Sequence, residues 1–297
     1  MPNHATPINK GSLFPAQVEK DIFSYVTGHS SLAKLSAQEP LPFVGKDIFT
    51  FNFANDVSIV GESAEKPVGN GKVATVAMQP VKVVYGMRVS NEFMYAAEEY
   101  QMSIMQAFAD GFAKKLGSAL DKMAILGIDP ATKAESSIIG NNCFAKQVDN
   151  SVTYAAASAD TNIDDAVALV EANEYACNGA VISPTMRGAL AALTADGARK
   201  YPEFAFGGCP NTLGAMSLDS NAALGTDVYA LVGDFADCFR WGIAKELPLD
   251  VIEYGDPDGN GDLKRYNQVY LRSEAFIGWA IMNPYAFAFV VKDDSTN

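Results

Sequence analysis

The sequence predicts an α+β protein in several parts, and three observations carry that reading. Apolar residues alternate with polar ones between Ile48 and Val89, and strand-like runs return from Leu249 to Val291. Between them a three-four spacing runs through Met102, Met105, Ala109, Phe112, Leu116, Ala119, Met123 and Leu126, the signature of one helix face. After that stripe, residues 162–232 alternate short helical patterns with short apolar runs, which reads as a compact α/β insert. At 297 residues and 48% apolar content, the chain has enough material for one large or two modest cores.

In chain order, residues 1–45 carry Pro2, Pro7, Pro15, Pro40 and Pro42, with one helical pattern from Pro15 to Thr27 (Val18, Ile22, Val26). That composition predicts an arm which takes its stability from whatever it lies on. Residues 46–90 read as strands around a polar segment, Glu62 to Lys72, where Pro67, Gly69 and Gly71 cannot sit in a ladder. A long hairpin with a polar tip satisfies both facts. Ser90 or Asn91 is the expected cap of the long helix, Glu92 favours its positive end, and Gly127 and Pro130 stop it. About 36 residues at about 1.5 Å each would span about 54 Å. The stripe is read as its core face, and Lys114, Lys115, Asp121 and Lys122 as its solvated face.

Farther on, Asn162 is expected to cap a helix running to about Cys177, stopped by Gly179. Ala180 to Ile182 reads as a buried strand, and Ser183-Pro184 opens a helix bearing Met186, Leu190 and Leu193 that ends at Asp196-Gly197. A glycine-rich stretch from 207 to 225 precedes the strand Tyr229 to Val232 and the Gly233-Asp234 turn. The uncharged run Ala275 to Val291 contains Gly278, Asn283 and Pro284, so it reads as two buried strands and a turn, not as a membrane span.

Charge and residue chemistry narrow the function. Asp and Glu outnumber Lys and Arg by 35 to 22, a net charge of −13, which argues against sequence-specific nucleic-acid recognition. The only histidines, His4 and His29, lie in the first tenth of the chain, so histidine-dependent catalysis in the body is excluded. Cys143, Cys177, Cys209 and Cys238 form no C-x-x-C pair, and free thiols in a reducing compartment are expected. The start of the sequence has no apolar core of the kind a signal peptide carries. Gly69 to Lys72 fails as a phosphate loop at Lys66 and at Val73. Neighbouring carboxylates at Glu98-Glu99 and Asp164-Asp165 point about 100° apart on a helix and read as surface. Asp256 to Asp262 matches the first half of a calcium loop, but Asn267 stands where a bidentate Glu is needed, so a polar hairpin turn is expected. Catalytic residues, cofactors and metals are therefore all expected to be absent.

The order of segments resembles the Hong Kong 97-type family of tailed-phage major capsid proteins. Val57 to Pro67 (VSIVGESAEKP) looks like the family's entry to its extended E-loop, and Val81 to Ser90 (VKVVYGMRVS) like the strand returning to the spine helix. Ala180 to Leu190 (AVISPTMRGAL) is similar to the strand-Ser-Pro-helix of the axial domain, and Val232 to Phe235 (VGDF) to its closing strand. Tyr270 to Trp279 and Asn283 to Phe289 look like the terminal strands of the peripheral domain.

The resemblance implies an arm at 1–45, strands and E-loop at 46–90, a spine helix at 91–130, an axial domain at about 131–238, and a return to the peripheral sheet at 239–297. It implies a non-enzymatic coat subunit that forms hexamers and pentamers of an icosahedral virion around double-stranded DNA, assembled in the host cytoplasm. Its partners would be other copies of itself, with a separate scaffolding protein, portal and decoration proteins, DNA touched without sequence preference, and no membrane. Glu62, Glu65, Lys66 and Lys72 are the candidate subunit contacts of the E-loop. No long helical scaffolding segment precedes residue 10, and the Asn and Glu that would accompany a self-crosslinking lysine cannot be placed. An encapsulin-type nanocompartment shell and a carboxylate-based enzyme are the rival readings.

Overall fold

The computed structural model describes residues 26, 28–53, 58–66, 68, 71–92 and 98–293. The helical pattern expected from Pro15 to Thr27, Val26 apart, lies outside the described residues, as do residues 93–97 of the expected long helix; Ser90, one of its two expected caps, is the last residue of a strand, with its Oγ accepting from Glu92 N–H at 3.3 Å.

The chain begins with the short helix α1 (Ser31–Leu35), capped by Ser30, whose side chain accepts from Ala33 N–H. Strands β1 (Lys46–Phe53) and β2 (Gly71–Met78) then pair antiparallel along their whole length, from Lys46 opposite Met78 to Phe53 opposite Gly71. This is the long hairpin expected from the polar segment between two alternating runs. Strand β3 (Val81–Ser90) follows, and then the long helix α2 (Glu98–Leu126), which ends where Gly127 adopts φ +70°.

Beyond α2 lie α3 (Phe144–Gln147), β4 (Ser151–Thr153), α4 (Ala159–Glu171), β5 (Gly179–Ile182) and α5 (Pro184–Ala192). The tight hairpin of β6 (Thr194–Ala195) and β7 (Ala198–Arg199) turns through Asp196 and Gly197, both left-handed. Strands β8 (Thr212–Leu213), β9 (Met216–Ser220) and β10 (Val228–Gly233) precede α6 (Phe235–Cys238). Two 14-residue strands, β11 (Phe239–Ile252) and β12 (Gln268–Ile281), form a second long hairpin, and β13 (Phe287–Val291) closes the chain.

Two sheets organise the body: β11-β12-β3, and the six-stranded β4-β13-β10-β5-β9-β8. The middle strands of the six-stranded sheet, β13, β10 and β5, are largely buried on both faces, and the period of two sorts their residues. Val181, Leu231, Phe287 and Phe289 join the core under α2, while Ala180, Ile182, Ala230, Val232, Ala288 and Val290 join the core under α4 and α5. The first core also takes Trp241 and Trp279, which stand opposite each other in the β11-β12 register. Each indole donates to a backbone carbonyl, Trp279 Nε1 to Asn142 at 2.8 Å and Trp241 Nε1 to Ser36 at 3.4 Å.

Three expectations are corrected by these contacts. The final strand does not return with the rest of 239–297 to the sheet beside α2: β13 pairs with β10 and β4 in the six-stranded sheet. The turn at Asn283-Pro284 redirects the chain so that the aromatic face of β13 enters the shared core. Asn162 is no cap; it lies inside α4, nearly buried, with its Oδ1 accepting from Ala155 N–H at 2.8 Å, and α4 ends at Glu171, before Gly179. Asp121 does not face solvent. It is fully buried, because α2 presents a second buried stripe through Ala113, Gly117, Leu120 and Ala124. A Cβ at Gly117 would stand 3.0 Å from the Val26 carbonyl, so the bare glycine lets the arm approach the helix backbone.

Candidate functional site

The surfaces that stand out are those the fold leaves uncovered. The base of the β1-β2 hairpin is held by Leu41, Met78 and Ala280, with Ile48 and Val76 packed against them. Away from that anchor, Phe49 is 66% and Val73 61% exposed, and beyond the strands Ile59 and Val68 are almost fully so. On β3, Val84, Tyr85 and Met87 are also exposed. Large apolar side chains on a projecting hairpin and an edge strand are what a subunit presents to other subunits.

Glu62 and Ser63 form a turn, with Ser63 left-handed at φ 68° and Ala64 N–H donating to the Gly61 carbonyl at 3.1 Å. Glu62, Glu65 and Lys66 are all exposed, and none makes an ion pair with another described residue. Lys72 is placed in β2 opposite Asn52, with its side chain outside the described residues, as are Pro67, Gly69 and Asn70. The structure thus brings three of the four candidate residues to one exposed loop without joining them to one another.

The arm is docked by a second set of contacts. Asp121 accepts Ser30 Oγ at 2.7 Å, Ser31 N–H at 2.8 Å, Leu32 N–H at 3.1 Å and Asn221 Nδ2 at 2.6 Å. Burial pushes its carboxyl up to about 6, against the pull of those hydrogen bonds, with nearby Asp219 adding to the rise. Ser31 Oγ and Lys34 Nζ both engage Asp219, the latter at 2.7 Å, which ties α1 to β9. The next residues lie across β11: Glu39 N–H donates to the Trp241 carbonyl at 2.8 Å.

The Asp256 to Asp262 segment has its cation built in. Arg88 of β3 donates from Nε to both oxygens of Asp258 (3.0 and 2.9 Å) and from Nη2 to Asp256 at 3.2 Å and to the Gly261 carbonyl at 2.8 Å. Arg88 holds the Asp258 carboxyl well below the usual range. A guanidinium therefore fills the place a calcium ion would take, and the loop is the polar turn between β11 and β12.

The described residues contain no cluster of three or more metal-ligating side chains and no helix long and apolar enough to cross a membrane. Burial raises all four thiols, Cys177 to about 11 and Cys238 to about 12, which keeps them mostly protonated at neutral pH.

Sequence reasoning missed Asp121 and Arg88. The Ser30-Ser31 pair before Leu32 was a visible cap signal, and Asp121 sits four residues after Gly117 in a row of small residues. The pairing of Arg88 with Asp258 left no local trace.

Comparison with known proteins follows this geometry. The model of the phage capsid family matches residues 10–292. A solved structure from Mycobacterium phage Ogopogo is 32% identical, with a TM-score of 0.75 over 89% of this chain and 92% of its own. One from Gordonia phage Cozz is 23% identical, with a TM-score of 0.73 over 89% of this chain and 87% of its own. The capsid of a native GTA particle is 15% identical, with a TM-score of 0.59 over 88% and 89%. At the lower identities the likeness speaks to the fold alone, which is the Hong Kong 97-type α+β fold. No curated protein matches the sequence. These matches do not favour the nanocompartment reading. With a family match over nearly its whole length, projecting apolar surfaces and a docked arm, the chain belongs to the phage capsid family, as a structural, major capsid protein of the virion.

Proposed function

We propose that the chain builds hexamers and pentamers of an icosahedral head around double-stranded DNA, with the loop bearing Glu62, Glu65, Lys66 and Lys72 as a contact to the neighbouring subunit. The observation that carries this reading is the hairpin itself: its base is packed into the body while its apolar strands and charged tip remain uncovered. A subunit stable alone would bury such side chains or replace them. The division into arm (1–45), hairpin (46–90), spine (91–130), axial body (131–238) and return (239–297) follows the same reading, with β13 assigned to the axial body.

The net charge of −13 per copy suits a lining that touches DNA without gripping it. It also makes salt a promoter of assembly, because like-charged copies must approach one another. Assembly in the host cytoplasm, with a separate scaffolding protein, a portal and decoration proteins, completes the proposal. Negative-stain microscopy of purified protein at raised salt, alone and with co-expressed phage proteins, is the test: closed shells or capsomers are expected, and a persistent 31.7 kDa monomer in both would overturn it.

A further inference from the structure

Phe206 is 102% exposed, the most uncovered aromatic among the described residues, and its backbone is left-handed at φ 54°, ψ 29°. A bulky residue seldom adopts that conformation without support on both sides. The support is present. Gly208 N–H donates to the Ala205 carbonyl at 3.0 Å, and Arg187 Nη1 donates to the Gly207 carbonyl at 2.8 Å. The Arg199 guanidinium, at the end of the β6-β7 hairpin, lies 5.3 Å from the Phe206 ring centre and has no carboxylate partner among the described residues. The fold therefore holds an aromatic ring and a cation in solvent as one preorganised knob.

The same body carries a pocket of opposite character. A cavity of about 350 Å³ lies between α4, Tyr201 and the β8-β9 hairpin, with Ile163, Val167, Leu213 and Met216 among its apolar lining. Asp164 and Glu171, exposed on one face of α4, stand at its edge without an ion-pair partner among the described residues. The third carboxylate there, Asp160, is already engaged by Lys200 and Tyr201. Because Phe206 is fully exposed, it does not fill this pocket in its own chain.

We propose that the Phe206-Arg199 knob of one copy docks into the Asp164-Glu171 pocket of the next. The ring would replace water over the apolar lining, and Arg199 would meet the two free carboxylates. Knob and pocket are made of different residues, which permits the head-to-tail contact that closes rings of identical subunits. The inference rests on the shell assembly proposed above and names a contact within it.

Half-buried Cys177 also lines the pocket, which supplies the test. Particles of Phe206→Cys/Cys209→Ser, oxidised with diamide, are expected to give a covalent ladder on non-reducing gels. The added Cys177→Ser change is expected to abolish that ladder. Arg199→Glu and Glu171→Lys are each expected to reduce assembly about tenfold, and their combination to restore most of it. Particles that form but yield no Cys177-dependent ladder, together with no rescue by the charge exchange, would overturn the knob while leaving the shell standing. Wild-type protein that never assembles would overturn both.

Discussion

Ser30 donates its hydroxyl to Asp121 at 2.7 Å in an interior where neither residue reaches solvent. This contact fastens the arm to the C-terminal part of the long helix, five residues before its last residue, Leu126. Asp121→Ala would remove the acceptor of the Ser31 and Leu32 N–H groups, the Ser30 hydroxyl proton and an Asn221 amide proton, at a cost of about 2 kcal/mol or more. It should also open the segment around α1 to protease; a variant as stable and as resistant as wild type would show that the arm is held elsewhere.

The same carboxyl makes stability depend on pH. With a value near 6 in the folded chain against an ordinary 3.8, the folded state holds the proton more tightly than the unfolded one. Its contribution is therefore greatest below about pH 4, declines as pH rises to about 6, and is level above, a change of at most about 3 kcal/mol. Asp121→Asn does not titrate, so wild type should lose stability relative to that variant across this window in urea unfolding. Parallel curves would refute the assignment.

Phe112 is 3% exposed in the core beneath α2, whereas Lys115 is exposed. Phe112→Asp should cost several kcal/mol, on the order of the penalty for an unpaired buried carboxylate, and Lys115→Asp less than about 1 kcal/mol. Equal urea midpoints would mean that the buried face is misplaced.

Arg88 joins strand β3 to the turn after β11, so Arg88→Ala should make residues 253–267 a protease site while the rest of the chain stays folded. Calorimetry with millimolar Ca²⁺ should register no binding to wild-type protein, because the guanidinium occupies the carboxylates. A clear binding isotherm would contradict this.

For the loop from Glu62 to Lys72, cleavage should be fast in free subunits and strongly suppressed in shells. Glu62→Lys or Lys66→Glu should impair assembly without unfolding the subunit, since these charges meet no ion-pair partner among the described residues. Equal protection in both states would make the loop an intramolecular element.

Gly242 and Gly278 face each other across β11 and β12. A Cβ on Gly278 would come within 2.7 Å of Leu41 Cδ2 and 2.8 Å of the Gln79 carbonyl, so Gly278→Val should displace the arm. The expected sign is loss of protection at residues 38–41 in hydrogen exchange; unchanged protection would show that the crossing tolerates a side chain.

What the sequence by itself determined are features written within a few residues of one another. The β1-β2 hairpin follows from alternation broken at Pro67 and Gly69, although Gly71, expected outside the ladder, pairs with Phe53 at its end; the buried β5 from an apolar run; the start of α5 from Ser183 and Pro184, with Ser183 Oγ accepting from Met186 N–H at 3.1 Å. The core stripe of α2 from Met105 to Met123 belongs with them. Each depends on a periodicity or a cap that neighbouring residues specify among themselves. Only the tertiary structure decided that Asp121 is buried, that Arg88 answers Asp258 from 170 residues away, that β13 leaves the sheet of β12 for that of β10, and that Phe206 is held out into solvent. A charge in a helix looks the same in sequence whether water or a capping turn from a distant arm receives it. The difference lies in which surfaces meet once the chain has closed over long range.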